Sequence, residues 1–148
     1  MISQDSLTIS PMRHQRYMRS YFILSNNPLV HVKYPAQTLF FDAGVSELLI
    51  AARDKVHLGA KLLNHPLSGG VLPGVSPYKS LIITATDSVK AAETDFTSLD
   101  LIERAIRALK KPPEGFAGYD ERTLEDFRVL DLDVLESALG AEAIQTPG

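Results

Sequence analysis

The chain has 148 residues, with 45% apolar and 22% charged positions, nine glycines and nine prolines, which is the composition of one ordinary globular domain. It contains no cysteine, so a disulfide scaffold, a thiolate nucleophile and Cys-ligated zinc or iron–sulfur chemistry are excluded. The net charge of −3 is unevenly placed: residues 1–112 carry 13 Lys/Arg against 9 Asp/Glu, and residues 113–148 carry 2 against 9. The first balance is +4, the second −7.

Residues 1–20 hold no apolar run of the kind a secretory signal needs, and no later window is long and apolar enough to span a bilayer; a cytoplasmic protein with no membrane partner is expected. The cluster Arg13, His14, Arg16 and Arg19 is too thin a basic footprint for a nucleic-acid interface, so residues 1–20 read as an N-terminal extension. Tyr21–Leu24 is a short aromatic and aliphatic strand run stopped by Ser25-Asn-Asn-Pro28. Asn27 before Pro28 is a helix start, predicting a short helix over 28–34 closed by Pro35. Thr38–Phe41 is a second strand. Val45–Leu63 then carries Val45, Leu48, Leu49, Ala52, Val56, Gly59, Ala60 and Leu63 on one helical stripe, with Ser46 or Asp42 as its cap.

His65–Pro77 holds three prolines and three glycines, which makes it a loop, and a loop this long inside a small domain points to a functional segment. Tyr78–Thr86 is the third strand. A second amphipathic helix follows near 98–109, its outer face pairing Asp100 with Arg104 and Glu103 with Arg107, and Pro112-Pro113 ends it. In the acidic segment 113–148, Leu124, Phe127, Leu132, Leu135 and Leu139 are spaced for two short helices, with Asp120 and Asp131 as caps and Gly140 as a stop. The expected fold is α/β: a small, mainly parallel sheet of three or more strands flanked by helices (residues 21–112), with a C-terminal helical appendage (113–148). The connection 28–37 is barely long enough for a parallel crossover, which leaves an antiparallel first pair open.

Ligands of open α/β sheets sit at the carboxyl ends of the strands, here Ser25-Asn26-Asn27, Asp42-Ala43-Gly44 and Thr84–Asp87. Candidate ligand-binding residues are Asn26 and Asn27 at the first of these ends, and Arg53, Asp54 and His57 on the long helix. His65, Ser68 and Gly69 in the loop and Lys79 at the entrance of the third strand complete the set. Arg53 and His57 lie one turn apart, so a cationic stripe with a titratable imidazole next to the loop fits a small anionic ligand or a proton-transfer role. No metal site is expected, because His57 and His65 lack a third ligand at a recognisable spacing. No cofactor is expected either: there is no Walker loop and no Gly-x-Gly-x-x-Gly after a strand. Ser68 lacks the surroundings of a hydrolase nucleophile.

Four stretches in order, Leu24-Ser-Asn-Asn-Pro-Leu-Val30, Ala52-Arg-Asp-Lys-Val-His-Leu-Gly59, Leu63-Asn-His-Pro-Leu-Ser-Gly69 and Ser76-Pro-Tyr-Lys-Ser80, resemble the GrdX family over about residues 21–110. These are small bacterial proteins whose genes accompany those of glycine reductase, the selenium-dependent system that converts glycine to acetyl phosphate and ammonia. The resemblance implies an accessory or binding protein of glycine or amino-acid reductase metabolism, with components of that system as partners, and it supplies no catalytic residues. It also groups the Asn26-Asn27, Arg53-Asp54-His57 and His65–Gly69 clusters into one candidate site. The alternative is a small enzyme or anion-binding domain that uses His57, His65 and Arg53. A homodimer is expected as well, burying leucines of the C-terminal segment against a twin.

Overall fold

The computed structural model describes residues 20–67, 75–85, 93–109 and 118–145. Its order is β1 (Tyr21–Ser25), α1 (Pro28–Lys33), β2 (Thr38–Phe40), α2 (Val45–His57), β3 (Ser80–Thr84), α3 (Phe96–Ala108) and α4 (Glu121–Gln145). The strands form one sheet in the order β2-β1-β3. β1 runs parallel to β2 and antiparallel to β3, so the sheet is mixed where a mainly parallel one was expected. The α1 crossover is therefore long enough for a parallel pair, and it is β3, delivered by a longer path, that enters from the opposite end.

Alternation along the strands supplies two cores. Leu24 of β1 and Leu81 of β3 face Val45, Leu48, Leu49, Ala52 and Val56 of α2 and Ile102 and Ala105 of α3. Their neighbours Ile23 and Ile82 face Val30 of α1 and Leu135 of α4. Side chains of successive strand residues point to opposite faces, so each strand feeds both layers. Helices thus cover both sides of the sheet.

Local chemistry sets the helix ends. The Asn27 side chain accepts from the Leu29 N–H ahead of Pro28, as the Asn-Pro pair predicts. Gly44, rather than Ser46 or Asp42, is the N-cap of α2, and Glu47 reaches back to accept from the Gly44 N–H at 3.0 Å. That helix stops at His57, short of the expected Leu63. Gly59 has φ 106°, the Gly59 N–H donates to the Val56 carbonyl and the Ala60 N–H to the Lys55 carbonyl, which is a Schellman closure. At α3 the Asp95 carboxylate accepts from both the N–H and the hydroxyl of Ser98, and Arg104 pairs with Asp100 at 2.9 Å as expected.

The C-terminal segment is one 25-residue helix rather than two short ones. Asp120 does cap it, accepting from the Thr123 N–H at 2.8 Å, but Asp131 lies in mid-helix and Gly140 is a helical residue with open space where a Cβ would stand. Leu135, 1% exposed, packs into this chain's own core. Among the described residues no helix is long and apolar enough to cross a membrane. Pro112-Pro113 lies outside the described residues.

Candidate functional site

Because β3 is antiparallel, its amino end meets the carboxyl end of β1: Ser25 lies opposite Ser80. The polar sheet edge is therefore built from Ser25-Asn26-Asn27, Ala43-Gly44 and Tyr78-Lys79-Ser80. Thr84 lies at the other end of the sheet, where its hydroxyl accepts from the Lys61 N–H. Residues 86 and 87 of the predicted third strand end lie outside the described residues.

Asn26 is a hub between loops. Its amide donates to the carbonyls of Ala43 and Pro77, both at 2.9 Å, and its carbonyl accepts from the Lys79 N–H at 2.9 Å. Asn27, fully buried, ties the edge to α4: its amide donates to the Arg128 carbonyl at 2.9 Å and to Asp131 Oδ2 at 3.0 Å. Asp131 Oδ2 also accepts from the Ser80 hydroxyl at 2.7 Å. Ser80 gives its single proton to that carboxylate, so the Ser25 hydroxyl, 2.7 Å away, must donate to Ser80 while accepting from the Asn27 N–H at 2.9 Å. A directed chain of hydrogen bonds therefore runs from the Asn27 N–H through two serines to the carboxylate.

Desolvation pushes the Asp131 carboxyl above its ordinary value, against the bonds from Asn27 and Ser80 and the nearby Lys79 charge, which favour the ionised form. Burial holds the Lys79 ammonium below the usual lysine range, with Asp131 opposing. The two charges feel each other without forming an ion pair, and among the described residues no hydrogen bond reaches the Lys79 ammonium. Next to it, Arg128 donates to the Tyr78 hydroxyl at 2.8 Å, stands over the Tyr78 ring and pairs with Glu121 and Glu125. Burial opposes the Arg128 charge, but the bonds to Tyr78, Glu125 and Glu121 outweigh it and raise its pKa.

Of the residues expected to share a site, Asn26, Asn27 and Lys79 come together at this edge. The amides of both asparagines are engaged in holding the fold. Arg53, Asp54 and His57 lie on α2, and His65 follows Asn64, whose side chain donates to the Ser80 carbonyl at 3.3 Å. Arg53 donates to Glu103 across the α2–α3 contact at 3.4 Å, which also draws Glu103 away from the pairing with Arg107 read from sequence. Asp54 is exposed on α2, and the exposed His57 has its backbone carbonyl facing the Thr94 hydroxyl at 3.5 Å. His65 is also exposed, and its Nδ1 accepts from the Leu67 N–H at 3.1 Å. Ser68 and Gly69 lie outside the described residues. Among the described residues no group of three or more His, Asp or Glu side chains is placed to hold a metal ion.

Sequence reasoning places Ser25 at the ligand-bearing strand end but misses Ser80, Arg128 and the buried role of Asp131. The available signal was register: 128, 131 and 135 share one helix face, and Leu135 faces inward, so Asp131 must also face the core.

No curated protein and no solved structure matches this chain. With β1 at its start and most of α4 at its end, the stretch 22–140 matches the model of the family described as GrdX-like protein; the chain belongs to that family.

Proposed function

We propose that this GrdX-like chain is an accessory binding protein of amino-acid reductase metabolism, glycine reductase included, and that it takes a small anionic ligand at the edge where β1 ends and β3 begins. The observation that carries the ligand reading is Lys79: a half-buried ammonium without a hydrogen-bond acceptor among the described residues, at the sheet edge where strand-end loops converge. A desolvated cation gains most from an anion that replaces its lost water, and such a ligand would return the Lys79 pKa toward its ordinary value. The association with a reductase system is supported by family membership alone.

Two measurements test the two parts. Calorimetric titration of the full chain with acetate and with inorganic phosphate is expected to give saturable heat that Lys79→Met abolishes; no heat with either anion refutes the anchor. Affinity capture from cells inducing glycine reductase is expected to recover components of that system. Recovery of none, together with unchanged glycine reductase activity after deletion of the gene, refutes the association.

A further inference from the structure

The two edges of the sheet are finished differently. Along β3 the segment Lys61–Asn64 closes the outer edge: the Thr84 N–H donates to the Lys61 carbonyl and the Leu63 N–H to the Ile82 carbonyl. Asn64 extends the closure with its side chain, accepting from the Ile82 N–H at 2.8 Å and donating to the Ser80 carbonyl at 3.3 Å. This edge is blocked against any further strand.

Among the described residues β2 has no such cover. The Ile23 N–H donates to the Gln37 carbonyl and the Phe41 N–H to the Ser25 carbonyl, so positions 37, 39 and 41 turn their backbone groups toward β1. Thr38 and Phe40 turn theirs outward, and Asp42, just beyond the strand, is the next position of the same alternation. The Thr38 N–H is taken by the Tyr34 carbonyl at 3.1 Å. Among the described residues the N–H and C=O of Phe40, the C=O of Thr38 and the N–H of Asp42 have no hydrogen-bond partner. Unpaired backbone donors and acceptors on an edge strand are a template for another strand; this row holds no Lys and no Pro, and its one charge is Asp42, just beyond the three-residue strand.

We infer that β2 pairs antiparallel with β2 of a second copy of this chain, about a two-fold axis at Phe40. The outward row is self-complementary in that register. Phe40 exchanges N–H and C=O with its counterpart, and the Asp42 N–H of each copy meets the Thr38 carbonyl of the other, giving four hydrogen bonds in all. The occupied Thr38 N–H is not required. Each Asp42 falls opposite Thr38 rather than opposite another carboxylate, which avoids the like-charge penalty of cross-strand pairs. Each Phe40 ring, stacked on His31 at 4.8 Å, meets its counterpart on the sheet face that carries α1. The product is a continuous six-stranded sheet ordered β3-β1-β2-β2-β1-β3, closed at both ends by Asn64. A foreign strand would find the same open groups, but only a second copy brings this symmetric match. Of the C-terminal leucines, Leu135 is buried within its own chain and Leu132 and Leu139 pack against the same core.

Light scattering of the full chain after size exclusion, from low to high micromolar protein, tests the inference. The mass is expected to rise from one chain to two. Phe40→Pro removes an N–H that is unbonded in the single chain and should hold the mass at one chain throughout, with an unchanged far-ultraviolet spectrum. Phe40→Lys sets two ammonium groups face to face at the axis and should do the same, and it decides the matter if Phe40→Pro does not fold. A single-chain mass at every concentration overturns the inference, as does a dimer that persists undiminished in the folded variants.

Discussion

Replacing Asn27 by Ala removes one side chain that serves two elements at once. The lost acceptor for the Leu29 N–H leaves α1 without its cap, at a cost of about 1 kcal/mol. The lost amide removes the bonds to the Arg128 carbonyl and the Asp131 carboxylate, about 1 kcal/mol each, the net value of an ordinary intramolecular hydrogen bond. The sum, about 3 kcal/mol, corresponds to a fall in melting temperature of about 10 °C for a chain of this length. Urea unfolding followed by circular dichroism reads it directly. Asn27→Ser is the discriminating companion: a hydroxyl can still cap α1 but cannot reach α4, so about 2 kcal/mol of the loss should remain. A cost below about 1 kcal/mol for Asn27→Ala, or identical costs for the two variants, would refute the double role.

Three further outcomes follow from the same structure. Asp131 has a folded-state pKa above its ordinary value, so its favourable contribution is complete below the ordinary carboxylate range and is lost as pH rises through the folded value. Asp131→Asn should therefore gain stability relative to the parent as pH climbs from acid to neutral, and a difference independent of pH would contradict the desolvation argument. Gly59→Ala forces a Cβ onto a backbone with φ 106° and should cost about 1 kcal/mol in chemical denaturation; an unchanged midpoint would show that the turn after α2 relaxes freely. Tyr34 donates to Glu136 at 2.6 Å, and that bond, with burial and the carboxylate charge, moves its hydroxyl up to about 12. In an ultraviolet titration Tyr34 should ionise above the ordinary tyrosine range, and Glu136→Gln should bring it back toward the ordinary value; a late tyrosine that survives Glu136→Gln would break the assignment.

What could be read from the sequence was whatever local chemistry alone decides. Asn27-Pro28 predicts its helix because both the cap and the first helical turn are satisfied within three residues. The strand runs were legible for the same reason, their apolar residues being contiguous. The strand directions were not: nothing between residues 64 and 80 states that β3 enters from the far end, so Thr84 was assigned to the ligand edge in place of Ser80. Asp131 looked like a cap because an aspartate inside a helix is locally unfavourable, and what overrides this is tertiary, the donors Asn27 and Ser80 lying 104 and 51 residues away. Arg53 was assigned to the site by its closeness to His57, whereas the packing of α2 on α3 commits it to Glu103.

The buried chain from Asn27 through Ser25 and Ser80 to Asp131 also bears on the order in which the protein is made. As the nascent chain emerges, one face of the sheet can close as soon as α2 and α3 are available, because its contacts there are apolar. The other face must wait. Until α4 follows, the Asn27 amide and the Ser80 hydroxyl lie on that face without the carboxylate they are built to meet, which stands 104 and 51 residues further along the chain.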